Sequence, residues 1–171
     1  MTQEERRAKI LELLEQAAVP LTGANLSKIL GVTRQVIVGD VAVLRARGEQ
    51  IIATPQGYLL YQPHQDLGYR STVAVRHGGE VVADELYLIV DLGGKVLDVT
   101  VEHPLYGELT ANLQLGSRAD VDRFIEHMHA LKAEPLLVLT DGYHLHTIEA
   151  PTSEVMGAIR DALRQAGYLA E

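Results

Sequence analysis

The chain has 171 residues, 47% of them apolar, which is enough to bury a core in one large or two small domains and excludes a disordered protein. It has no cysteine, which excludes disulfides, thiolate nucleophiles and cysteine-bound zinc, so any metal must be held by imidazole and carboxylate. The net charge of −8 divides unevenly, with +1 on residues 1–62 and −9 on residues 63–171, so the acidity does not bar the first part from a nucleic-acid partner.

In the first sixty residues, Ala8, Ile10, Leu11, Leu13 and Leu14 recur at helical spacing from Glu4 to Ala17, and Pro20 stops the helix. Thr22 then caps a short helix that ends at Leu30 before Gly31, and Thr33 caps a longer one from Arg34 to Arg47, closed by Gly48. QIIAT and GYLLY follow as two short strands around Pro55. Three helices and a hairpin in this order make a winged helix-turn-helix, whose third helix enters the major groove of double-stranded DNA by its N-terminal end.

Three residues occupy that end. Thr33, Arg34 and Gln35 are the candidates for reading bases, since arginine pairs with guanine and glutamine with adenine. Arg45 and Arg47, further along, are placed for phosphate contacts. Gly39 inside this helix costs about 1 kcal/mol relative to alanine. A three-helix interaction module without DNA is the alternative reading.

QPHQDLG, residues 62–68, reads as a linker, so the expected domains are 1–62 and 68–171. The second domain follows the order βαββαβα: strand 71–76, helix 80–91, strands 96–101 and 107–115, helix 119–132, strand 143–149 and helix 153–166. The fold class is α+β, with helices on one face of an antiparallel or mixed sheet.

HLHTIEA, residues 144–150, places His144 and His146 two apart on a strand, where they share a face about 6.5 Å apart and can converge on one ion. The expectation is that they lie on the sheet's free face, with Leu145 and Ile148 toward the helices. His77 closes the first strand before two glycines, and Glu85 follows eight residues later. Three histidines and a carboxylate suit zinc, nickel or iron(II), although paired histidines on an exposed strand face are more often just solvated polar residues. His103 is expected to be a loop residue beside a strand end, a place where proteins contact small molecules.

TRQVIVGDVAVLRARG, IIATPQGYLL, VEHPLYGEL and EPLLVLTDGYHLHTIEAP together resemble the NiaR-type, nicotinate-responsive transcriptional repressors of NAD biosynthesis over nearly the full length. The resemblance implies operator binding by the winged helix-turn-helix and an HPr-like C-terminal 3H domain that binds nicotinic acid as co-repressor. It further implies a homodimer and a divalent transition metal, with the family's ligand pattern met at His77, Glu85, His144 and His146. His103 and Tyr106 are then expected to orient the ligand ring. Gly39 departs from the family, whose third helix usually has a larger polar residue there, which leaves the operator sequence open.

No run approaches the ~18 consecutive apolar residues of a membrane span, and the charged, amphipathic start MTQEERRAKILELLEQ is unlike a signal peptide. No membrane partner and a cytoplasmic location are expected. No phosphate-binding glycine loop or metalloprotease helix motif is present, so the protein is expected not to be an enzyme. The alternatives are a metal-dependent enzyme acting on a small carboxylate, built around Glu102, His103, Tyr106 and Glu108, and a regulator of a different small carboxylate.

Overall fold

Three threonines start the first three helices. The Thr2, Thr22 and Thr33 hydroxyls accept the backbone N–H groups of Glu5, Asn25 and Val36, each satisfying a donor that the helix cannot, a contribution of about 1 kcal/mol per cap. In the computed structural model these helices are α1, Gln3–Gln16; α2, Gly23–Leu30; and α3, Arg34–Ala46. Gly31 ends α2 with φ of 65°, a left-handed conformation that glycine adopts without strain.

The hairpin pairs β1, Ile51–Thr54, with β2, Gly57–Leu60, and Leu21 adds a bridge to Tyr58. Ile10, Leu14, Leu26, Ile37, Val41, Leu44 and Ile51 form the core of this unit. Within it Asp40 of α3 is buried and gripped by two arginines of α1, with Arg6 Nε 2.5 Å and Arg7 Nε 3.0 Å from its oxygens.

The chain divides into two units, Met1–Gln65 and Asp66–Glu171, and the structure describes residues 1–61 and 68–171. The expected linker therefore lies outside the described residues, apart from Gly68. No helix among the described residues is long and apolar enough to cross a membrane.

The second unit contains β3, Tyr69–Arg76; α4, Val82–Asp91; β4, Lys95–His103; β5, Gly107–Leu115; α5, Arg118–Ala130; β6, Tyr143–Ala150; and α6, Ser153–Gln165. The order is the expected βαββαβα. Among the described residues two short 3-10 segments are added: Gly79–Val81 leads into α4, and Leu136–Thr140 precedes β6.

The sheet order is β3-β6-β4-β5, with every neighbouring pair antiparallel, so the last strand inserts between the first two. Val73 and Val75 of β3, Ile148 and Ala150 of β6, Leu86 and Ile89 of α4, and Met156 and Ile159 of α6 share one core. This helix-covered side of the sheet is where the site is built.

One expectation is corrected here. His144 and His146 lie on the helix-covered face, buried with Ile148 and Ala150, whereas Leu145 is 37% exposed on the other face. Period two decides it: residues 144, 146, 148 and 150 share a face, while Leu145 and Ile148, three apart, cannot.

Candidate functional site

Strand β6 points His144 and His146 into the core opposite Val75 and Val73 of β3, and α4 lays Glu85 over them. A carboxylate 1% exposed in an apolar core is costly unless other groups compensate it. The compensation comes from three imidazoles. Glu85 Oε2 lies 2.5 Å from His77 Nε2 and 3.3 Å from His144 Nε2, and Oε1 lies 3.2 Å from His146 Nε2.

The far side of each ring is engaged as well. Nδ1–H of His77 donates to the Gly78 carbonyl at 2.9 Å, that of His144 to Gly142 at 2.8 Å, and that of His146 to Asp98 at 2.7 Å. With Nδ1 protonated and fixed, a neutral ring presents its Nε2 lone pair toward the carboxylate. Lone pairs facing lone pairs need a cation between them, either a proton or a metal ion.

When protons fill that role, the site becomes an ion cluster. Burial alone would raise the Glu85 carboxyl, but the three histidines outweigh it and hold the group well below the usual carboxylate range. Burial would lower His77 and His146, and the Glu85 charge outweighs that and raises both.

The same donor set suits a metal. His77, Glu85 and His144 offer ligand atoms all within 4.8 Å of one another, and His146 stands beside them on the same carboxylate. Glu85 Oε1 is buried without a hydrogen bond, although His146 Nε2 stands 3.2 Å away. An orphaned carboxylate oxygen among imidazole nitrogens, each ring oriented by a backbone carbonyl, is the arrangement that metal-binding histidines require. Sequence spacing missed Asp98 and Gly142, which supply two of those carbonyls and carry no chemical signature in the sequence.

A groove of about 680 Å³ lies on the other face of the sheet, lined by Ala74, Thr100, Glu102, Glu108, Tyr143 and Leu145, and it touches His144 and Thr140, although the His144 side chain is buried at 1% exposure. Neither His103 nor Tyr106 lines it. At the tip of the β4–β5 hairpin these two stack on each other with ring centroids 5.0 Å apart, and His103 Nδ1 accepts the N–H groups of Leu105 and Tyr106. The structure therefore brings together the four residues of the ligand pattern and leaves the expected ring-orienting pair outside the groove.

In the first unit, Thr33, Arg34 and Gln35 are exposed at the start of α3, with Arg34 beside Gly23 and Tyr58. Arg34 and Arg45 form no ion pair among the described residues. Arg47 differs, because it forks onto Glu4 at 2.8 and 2.9 Å. That fork, opposed by desolvation and aided by Arg7, lowers the Glu4 carboxyl to about 2. Gly39 faces open space and Val36 is exposed one turn before it, so α3 presents a smooth outer face that sequence reading left out.

The 3H domain family matches residues 70–171, and a helix-turn-helix (HTH) domain family matches residues 6–59. The chain is 44% identical over 168 residues to the probable transcription repressor NiaR of Thermotoga maritima, covering 98% of this chain and 95% of that protein. It is likewise 44% identical over 168 residues to the transcription repressor NadR of Bacillus subtilis, covering 96% of this chain and 92% of that one.

Proposed function

Given that the chain belongs to the 3H-domain transcription repressors, DNA-binding regulators rather than enzymes, we propose that it represses genes of NAD biosynthesis or nicotinate uptake with nicotinic acid as co-repressor. It acts in the cytoplasm as a homodimer on double-stranded operator DNA, and a divalent transition metal is held by His77, Glu85, His144 and His146.

The observation that carries the metal half of this reading is the set of three imidazoles oriented by carbonyls around a buried carboxylate with one unsatisfied oxygen. Such a nitrogen-and-oxygen set fits zinc, nickel or iron(II). The ion, when bound, supplies a Lewis-acidic position for a carboxylate oxygen or a pyridine nitrogen. The chain supplies the rest: the carbonyls of Gly78, Gly142 and Asp98 hold the three rings with Nε2 toward the ion.

The operator half rests on the helix-turn-helix and on the uncompensated Arg34 at the start of α3. Binding of the effector raises operator affinity only to the extent that it favours the DNA-competent arrangement of the dimer.

The test is a DNA-binding titration of the metal-loaded protein against promoters of NAD-synthesis or nicotinate-uptake genes, with and without nicotinic acid. Tighter binding with nicotinic acid, lost on chelation, is the expected result. DNA binding indifferent to nicotinic acid would overturn the choice of effector, and effector-dependent binding that survives complete metal removal would overturn the metal.

A further inference from the structure

The turn that enters β6 is built from two consecutive left-handed residues, Asp141 with φ of 52° and Gly142 with φ of 87°. Aspartate tolerates this conformation, and glycine adopts it freely. The Thr140 hydroxyl closes the turn by donating to the Tyr143 carbonyl, and Arg76 ties it to the end of β3 through Asp141, reaching its carbonyl at 3.3 Å and Oδ2 at 2.9 Å.

Within this turn the carbonyl and the α-carbon of Gly142 both face the histidine cluster. Its carbonyl accepts the His144 ring Nδ1–H at 2.8 Å and the His77 backbone N–H at 3.4 Å. Its α-carbon also lies against the His77 peptide so closely that a Cβ would stand 2.5 Å from the His77 carbonyl oxygen, 3.2 Å from its carbon and 3.3 Å from its nitrogen. A backbone group cannot swing aside as a long side chain can, so any side chain at 142 displaces His77.

We infer that Gly142 is the positioning residue of the metal centre, fixing two of its three histidines at once: His144 through its ring tautomer and His77 through the place of its backbone. This rests on the metal-centre reading above. The two rings stand edge to face with centroids 4.8 Å apart. His146 is independent of it, because its ring is held by Asp98 on β4.

The test is calorimetric titration of metal-free wild type, Gly142→Ala and Gly93→Ala with nickel(II). Gly93 is the matched control: its φ of 93° imposes the same backbone strain on alanine, but no atom lies within 4 Å of the new Cβ. The expected result is a loss of nickel affinity of roughly 10- to 100-fold in Gly142→Ala, the range for disturbed outer partners of metal ligands, and none in Gly93→Ala. Nitrogen NMR of the rings should show that the His144 tautomer is no longer fixed while that of His146 is retained.

Equal nickel affinity in wild type and Gly142→Ala would overturn the inference, as would an equal loss in Gly93→Ala. Should Gly142→Ala fail to fold, Thr140→Val loosens the same turn without a clash; several-fold weaker nickel binding supports the role, and unchanged binding overturns it. A wild-type protein that binds neither nickel nor zinc sinks the metal centre itself, and this role with it.

Discussion

His146 Nε2 stands 3.2 Å from Glu85 Oε1, yet no hydrogen bond joins them, whereas His77 Nε2 meets the other oxygen of the same carboxylate at 2.5 Å. The carboxylate is thus satisfied on one side and open on the other, 1% exposed within the core. The first prediction concerns that carboxylate. Glu85→Gln keeps the shape but removes the charge, and is expected to abolish the rise in melting temperature on adding nickel or zinc. Glu85→Ala should further destabilise the metal-free protein by about 3–5 kcal/mol, the cost of removing one partner from a buried charged cluster. Thermal and urea unfolding with and without metal measure both effects.

The protonation of this cluster sets a pH dependence for the metal-free protein. His77 and His146 are raised above their ordinary 6.5, after burial, which lowers them, is outweighed by Glu85. Their contribution to stability is full below that value and lost as pH rises through their folded values. Glu85 is depressed below its ordinary 4.5, after burial, which raises it, is outweighed by the histidines, so its contribution is present above that value and lost as pH falls through its folded one. Stability in chelator should therefore peak between about pH 4.5 and 6.5 and decline in alkali. Added metal competes with these protons, so the stabilisation it gives should grow with pH. Urea midpoints from about pH 5 to about pH 9 report both trends, and a flat profile in chelator would count against the cluster as charged.

On the DNA side, the pairing state of each arginine predicts its effect. Arg34→Ala should cost about 1–3 kcal/mol of operator affinity and relax the preference at one base pair. Arg45→Ala should weaken operator and random DNA alike and reduce the salt slope by about one unit. Arg47 is already neutralised by Glu4, so Glu4→Gln, which frees it, should strengthen non-specific binding and steepen the salt slope. Binding measured at several salt concentrations separates the three cases.

Coupling between effector and operator is reciprocal. Whatever factor nicotinic acid adds to operator affinity, operator DNA must add to nicotinic acid affinity. Calorimetric titration of the effector into free and DNA-bound protein should return the same ratio as the DNA titrations. Equal effector affinity in both forms would falsify the co-repressor switch.

Local signals carried most of the fold. The threonine caps, Gly31 and the turn at Pro55 announce their elements because each acts on neighbouring residues, and the βαββαβα order follows from periodicity. Leu136–Thr140 escaped because a short apolar run, LLVL, has no alternation that separates a 3-10 segment from a buried strand. Asp40 escaped for a different reason: a carboxylate within a helix reads as surface, and the two arginines that bury it lie 34 and 33 residues away. At the histidine cluster both the spacing and the face were legible: 144 and 146 share parity with Ile148 and Ala150, and the expectation that put Leu145 with Ile148 went against that parity. What had no signal was the carbonyls of Asp98 and Gly142 that orient the rings, because the chain brings them there only on folding.

Because Glu85 closes the cluster from a helix packed on the sheet, an ion held there departs only when α4 or the turn at Gly142 opens. Its residence time is then a property of local unfolding rather than of coordination strength alone. Stripping by an excess of chelator should accordingly proceed at a rate that chelator concentration does not alter, in step with hydrogen exchange at the amides of α4.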